Sequence, residues 1–291
     1  MANSIAKFKL YVVGLLDEVY KAAAKTSVLD GAAELARQGA NADELIIPKI
    51  EMDGLGDYDR NSGYTQGDVT FTNETVKCNF DRGRMFTVDN VDNMDTAGMA
   101  FGRLASEFIR TKVVPEIDAF RLAKYAGVTG ADITQRSAAY ADGEAVRKAI
   151  AAKFDAMTDA EVPMEGRHLF ITPDLAGMIR DMDTTKSKEL LGKFASVQEV
   201  PQGRFYTAIE QLDGKAGAGS KGGYKKATTG ADLCFMIIHK DAVIQFPKHV
   251  APKVVTPEQN QDADAYKFGY RNVGIADAYK NKAAGIAGEY K

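Results

Sequence analysis

The chain has 291 residues, 45% hydrophobic and 26% charged, enough apolar mass for one large core or two modest ones. A net charge of -3 and a pI near 5.8 exclude the basic, high-pI class of direct DNA-gripping proteins. Cys78 and Cys234 lack a C-x-x-C spacing and read as free thiols of a reducing compartment, and no apolar run reaches the length of a membrane span.

In chain order, the first apolar run is Leu10–Leu16, behind Lys7 and Lys9. It is short, and Asp17 and Glu18 follow it without a small-residue cleavage pattern. An amphipathic helix is therefore predicted rather than a secretion signal. Residues 1 to about 40 are Ala-rich and read as a helical arm whose small side chains bury little area alone. Leu45–Ile50 is β-like but interrupted by Pro48. It leads into a segment rich in Gly, Asp and Asn, Asp53–Asp68, after which Val69–Phe80 alternates apolar and polar residues. Two strands joined by a long polar loop follow from this pattern. Such a ribbon is marginal by itself in water, so a neighbour should support it.

Asp95–Tyr125 carries the strongest helical signal. Phe101, Leu104, Ala105, Phe108 and Ile109 form a one-sided stripe, with Asp92 and Asp95 placed as acidic caps. Pro115 predicts a kink or restart. Glu144–Met157 is a second helix. Arg167–Pro173 is a short strand, and Pro173 opens a helix through Met182. Phe205–Leu212 reads as a strand and Gly214–Gly223 as a glycine-rich loop. Leu233–His239 is continuously apolar, hence a buried strand. Val243–Phe246 and Tyr266–Ile275 are further strands, followed by a Gly- and Ala-rich tail. The class is α+β, with one long helix and one long hairpin.

The short motifs favour structural roles. Gly217 to Gly222 fits G-x-G-x-x-G by letters, but Gly223-Tyr224-Lys225-Lys226 offers no helix whose N-terminus could bind a pyrophosphate. Asp57, Asp59, Asn61 and Asp68 resemble a calcium loop loosely. The glycine falls one place late at Gly63 and the flanks are strands, so a polar hairpin tip accounts for them. His168, His239 and His249 have no ligand partners at metal spacing. Lys221, Lys225 and Lys226 read as a solvated basic loop. No catalytic, metal or cofactor residues are expected.

The order of segments, and several phrases in them, resemble the major capsid proteins of tailed bacteriophages, the Hong Kong 97-type fold. The phrases are RGRMFTVDNVDNMDTAGMAFGRLASEFIRTKVVPEIDAFRLAKYA (Arg82–Ala126), RHLFITPDLAGMIRD (Arg167–Asp181), VPQGRFYTAI (Val200–Ile209), FMIIHKDAVIQFPKH (Phe235–His249) and DADAYKFGYRNVGIADAYKNKAAGI (Asp262–Ile286). The resemblance implies an N-terminal arm over 1–44, an extended hairpin loop over 45–88 and a spine helix of a peripheral domain over 89–126. A mainly axial domain, with interleaved peripheral strands, covers 127–230. Returning peripheral strands and the tail fill 231–291.

The resemblance further implies a non-enzymatic coat protein of the virion, assembled in the bacterial cytoplasm as pentamers and hexamers of a shell. Its partners would be copies of itself, a portal protein and enclosed double-stranded DNA bound without sequence specificity, with no membrane. The prototype carries a long N-terminal scaffolding extension. Here the hairpin begins near residue 45, so a separate scaffolding protein is expected. The prototype also cross-links a loop lysine to a neighbour's asparagine. Asp53–Asp68 holds no lysine, with Lys49 and Lys77 nearer the base, so no covalent cross-linking is expected. The expected subunit interface joins the hairpin tip (Asp57, Asp59, Arg60, Tyr64) to an adjacent subunit near its spine helix (Arg103, Glu107, Arg110). Rival readings are an encapsulin-type nanocompartment shell and a soluble α/β enzyme with a scattered site.

Overall fold

The computed structural model describes residues 24–31, 37–38, 44–61, 63–90, 99–215 and 221–291. The helical reading of Met1–Tyr20, the caps Asp92 and Asp95, and Gly217 to Ser220 lie outside them. A 3-10 turn, Lys25–Leu29, comes first. Strands β1 (Arg37–Gln38), β2 (Glu44–Met52) and β3 (Val69–Lys77) form a small antiparallel sheet. Strands β2 and β3 stay in unbroken register from Glu44 opposite Lys77 to Met52 opposite Val69. Pro48 does not interrupt β2: it pairs with Asn73 of β3, and among the described residues β1 reaches only Leu45 and Ile46 on the other side, a placement that tolerates a residue without an N–H.

The chain between 45 and 88 divides in two. The ribbon stops at Lys77, and β4 (Phe80–Asp89) pairs along its whole length with a strand of the body, Ala265–Ala278. The long helix follows in three parts: α1 (Met99–Phe108), a π-helical turn (Ile109–Val113) and α2 (Val114–Ala126). Pro115 lies in the first turn of α2. It lacks the N–H that would bond the carbonyl of Thr111, and the widened turn before it accommodates the gap. The predicted kink is thus a π turn, and the Thr111 hydroxyl donates to the Glu107 carbonyl at 2.7 Å.

Beyond α2 come β5 (Asp132–Gln135), α3 (Gly143–Asp159), β6 (Arg167–Ile171), α4 (Pro173–Asp181), α5 (Thr185–Gly192) and β7 (Ser196–Glu199). A two-stranded hairpin pairs β8 (Ile209–Leu212) with β9 (Gly223–Lys226). The last strands are β10 (Leu233–His239), β11 (Val243–Val255), β12 (Ala265–Ala278) and β13 (Ile286–Tyr290). One sheet has the order β5-β13-β10-β6-β7 and another β11-β12-β4. Strand β11 is an edge, which accommodates Pro247 and Pro252 within it.

The continuous apolar run of β10 has a two-sided cause. Met236 and Ile238 join the core built on α2, β4 and β12, with Val114, Ile117, Leu122, Tyr125 and Phe268. Phe235 and Ile237 face a second core with Val146, Ile150, Phe154, Leu169 and Ile179 from α3, β6 and α4. A strand with both faces covered has no polar side to alternate with. Asp142 caps α3, its carboxylate accepting the Ala145 N–H at 2.8 Å.

Two expectations are corrected. Phe205 is not in a strand: it is buried after the 3-10 turn Gln202–Arg204, Tyr206 makes an isolated bridge with Asp232, and the strand itself starts at Ile209. The Gly- and Ala-rich tail contains β13, whose small residues let it lie between β5 and β10. A Cβ on Gly288 would meet the Phe235 carbonyl at 2.5 Å.

Candidate assembly interface

The ribbon's register of nine residue pairs corresponds to about 30 Å of paired strand. At its base, Val76 packs with Ile244 and Ile275 of the body, beside Cys78 and Tyr279. Side chains on a strand alternate faces, so Met52 and its cross-strand partner Val69 share one face with Phe71. That face is apolar and open: Phe71 is 73% and Met52 70% exposed.

The loop beyond is held by its own backbone. Asp53 N–H donates to the Asp68 carbonyl at 3.2 Å, and Asp68 N–H to the Asp53 carboxylate at 2.9 Å. At the tip Asp59 and Gly63 exchange backbone bonds, and the Asp59 carboxylate accepts the Asn61 N–H at 2.9 Å. The turn needs a left-handed residue, supplied by Gly63 at φ +81°. Thr65 Oγ1 donates to the Asp57 carbonyl at 2.9 Å. The Tyr58 and Tyr64 rings meet edge to face at 4.9 Å, yet Tyr64 remains 88% and Leu55 fully exposed. The tip is therefore preformed and carries aromatic, aliphatic and acidic groups outward.

Of the helix residues, Glu107 and Arg110 pair through a two-pronged contact, with Nη2 2.8 Å from Oε2, and both are more than half exposed. The side chain of Arg103 lies outside the described residues. The structure brings Glu107 to Arg110 and Tyr58 to Tyr64; Asp57, Asp59, Arg60 and Tyr64 share the tip. Met52, Leu55, Val69 and Phe71 were missed by the sequence reading, although the alternation Val69, Thr70, Phe71, Thr72 already put two of them on one face.

Beside the helix lies a cleft of about 1270 Å³ whose walls include β4, the π turn and the β8–β9 hairpin. Phe86 and Phe108 meet at 4.8 Å on its lining. Arg82 Nε donates to Glu116 at 2.8 Å, and Arg82 Nη2 to the carbonyls of Leu212 and Gly223. Arg84 Nη1 donates to those of Gly214 and Lys221. Two arginines on one face of β4 thus clasp both strands of the hairpin at its neck. Burial raises the Glu116 pKa against the opposing pull of Arg82. Lys225 pairs with Glu210 and Lys226 with Asp232.

His168 Nδ1 lies 2.8 Å from Ser196 Oγ, and burial lowers its pKa. His239 accepts the Asp241 N–H at 3.3 Å. Both histidines are buried and engaged in structural bonds. Neither Cys78 nor Cys234 is in a disulfide; both are half-buried, and burial raises the Cys234 pKa.

No protein-family model matches the chain, and no curated protein matches its sequence. Solved structures do match. A capsid of cyanophage P-SCSP1u is similar at 11% identity and TM-score 0.55, over 87% of this chain and 85% of that one. The fold is the Hong Kong 97 type. A capsid of Staphylococcus phage Andhra shares this fold at 11% identity and TM-score 0.54, over 89% of this chain and 83% of the other. A virus-like particle from Pyrococcus furiosus gives 9%, TM-score 0.56, and 93% and 97% coverage. Such identities make the likeness one of Hong Kong 97-type fold.

Proposed function

We propose that this chain is a major capsid protein that assembles with copies of itself into an icosahedral shell around phage double-stranded DNA. The observation that carries this reading is the ribbon. Its turn is closed by its own hydrogen bonds, its base is packed, and its apolar face and tip are open, the arrangement expected of a contact supplied by another copy. Phage capsids among the structural neighbours support it. On this reading the tip residues Asp57, Asp59, Arg60 and Tyr64 lie across an adjacent subunit near its Arg103, Glu107 and Arg110. The helices α3 to α5 with their sheet form the axial domain. Repeated contacts of this kind close around symmetry axes. A separate scaffolding protein and a portal protein complete the assembly in the host cytoplasm.

Negative-stain electron microscopy of the concentrated full chain tests the reading. Rings of five or six subunits, or closed shells, are expected; uniform compact monomers under crowding overturn it. Alanine at both Arg60 and Tyr64 should abolish those particles while the monomer stays folded. A nanocompartment shell is the second reading, and the structural neighbours give it no better support than the capsid. Nuclease-protected DNA inside particles from the natural source favours the capsid; protein cargo favours the compartment.

A further inference from the structure

The described end of the arm is fastened to the body by a buried polar joint. Asp118 of α2 is fully buried, and so is Thr26. The backbone N–H groups of Lys25 and Thr26 donate to the two Asp118 carboxylate oxygens at 3.0 and 3.1 Å, and the Thr26 hydroxyl donates to Oδ1 at 2.7 Å. Arg204 reaches the same carboxylate at 3.4 Å from the turn before β8. From the other side, Gln245 of β11 donates Nε2 to the Thr26 carbonyl and to Asp30, each at 2.7 Å. The Gln245 amide is itself oriented by the Tyr125 hydroxyl at 2.8 Å, and its backbone carbonyl accepts the Gly31 N–H at 3.0 Å. Arg121 completes the ring, donating to Thr26 Oγ1 at 3.1 Å and lying 3.5 Å from Asp30. Helix α2 and β11 therefore converge on one threonine, and the Gln202–Arg204 turn braces the carboxylate that holds it.

Adhesion alone does not call for this chemistry. A strap of eight residues could be stuck down by leucines, and replacing buried charges with well-packed apolar groups is often neutral or stabilising. The backbone N–H groups are alike at every position, so the side chains read the register: a shift of one residue takes the Thr26 hydroxyl from Asp118 Oδ1 and the Asp30 carboxylate from Gln245 Nε2 and Arg121. We propose that Asp118 and Gln245 form a latch that pins the arm to the body in a single register, so that a neighbouring subunit engaging the arm is held at a fixed offset from α2. This rests on the shell-subunit reading above. Load applied to the arm passes through Thr26 into α2 and β11 together.

The test loosens the strap without touching the body. Ala24 is extended, at φ -75° and ψ 120°, which tolerates a following proline, and Lys25 opens the 3-10 turn, where proline fits. K25P removes one N–H donor to Asp118, T26V removes the hydroxyl, and K25A controls for the lost side chain. Hydrogen exchange of the full-length double variant K25P/T26V is expected to show a protection loss of about tenfold or more across residues 26–31. Leu233–His239 should keep its protection, and particles should form in reduced yield with scattered diameters. Undiminished protection of the strap overturns the latch. So does equal loss in the strap and in Leu233–His239, which would make the joint a part of the core. A loosened strap with uniform particles overturns the role in register. Wild-type chains that stay uniform compact monomers under crowding would remove the shell-subunit reading, while the exchange result still decides the latch.

Discussion

The Arg167 guanidinium lies 4.3 Å from the centre of the Phe154 ring and donates Nη1 to the Phe154 carbonyl at 2.8 Å. Its other bonds go to Thr158 Oγ1 and the carbonyls of Val162 and Pro163. A fully buried cation thus ties the last turns of α3 to the loop after it, satisfying the Val162 and Pro163 carbonyls beyond the helix. Arg167→Met keeps much of the volume but strands those acceptors. A stability loss of about 3 kcal/mol is expected, read as a lower urea midpoint at unchanged slope. Arg167→Lys should fall between, since an ammonium cannot reproduce the planar fork.

Glu116 gives a pH prediction. Burial raises its pKa in the fold, and Arg82 pulls it back. A raised carboxyl pKa means that the folded state holds the proton more tightly than the unfolded chain does. Its contribution is full below the ordinary value of 4.5 and is lost as pH rises through the folded value. Arg82→Ala removes the opposing charge, so the loss on going from pH 4.5 to neutrality should be steeper than in the wild type. Arg82→Ala combined with Glu116→Gln should flatten it again. Calorimetric Tm values at the two pH values check both.

Gly143 opens α3 against α4. A Cβ there would meet the Met178 carbonyl at 2.2 Å and Met182 Sδ at 2.8 Å. Alanine in a helix gains at most about 1 kcal/mol over glycine, whereas overpacking costs about 1–3 kcal/mol. Gly143→Ala should therefore destabilise, and the sign of the Tm change decides.

The apolar ribbon face separates folding from assembly. Phe71→Ser with Met52→Ser alters two side chains that are mostly exposed. Stability should change by less than about 0.5 kcal/mol per site, while particle formation is lost. Sedimentation velocity measures the second, and undiminished particles from a stable variant would remove the ribbon from the interface.

Legibility in the sequence followed packing. The long helix, α3 and β10 were readable because one-sided or continuous apolar runs record which faces are covered. Strand β13 was not: its burial comes from neighbours that need Gly288 to be small, and a small residue carries no periodic signal. The full length of β11 was hidden by Pro247 and Pro252, tolerable only because the strand is an edge, a fact of topology. At the interface, the polar tip residues were evident from composition. The apolar face required knowing which side of the ribbon turns outward, and that is set by Val76 at the far end. Nor could the sequence pair Asp118 with Thr26, which lie 92 positions apart.

Strand β13 has a consequence for synthesis. It runs parallel to β5 and antiparallel to β10, so a ribosome-held chain that has not yet released Ile286–Tyr290 leaves β10 with a bare edge and β5 without its partner. The five-stranded sheet is completed by one of its latest-made pieces. A chain cut short before Ile286 would expose the apolar edge of β10, the kind of open strand that invites aggregation.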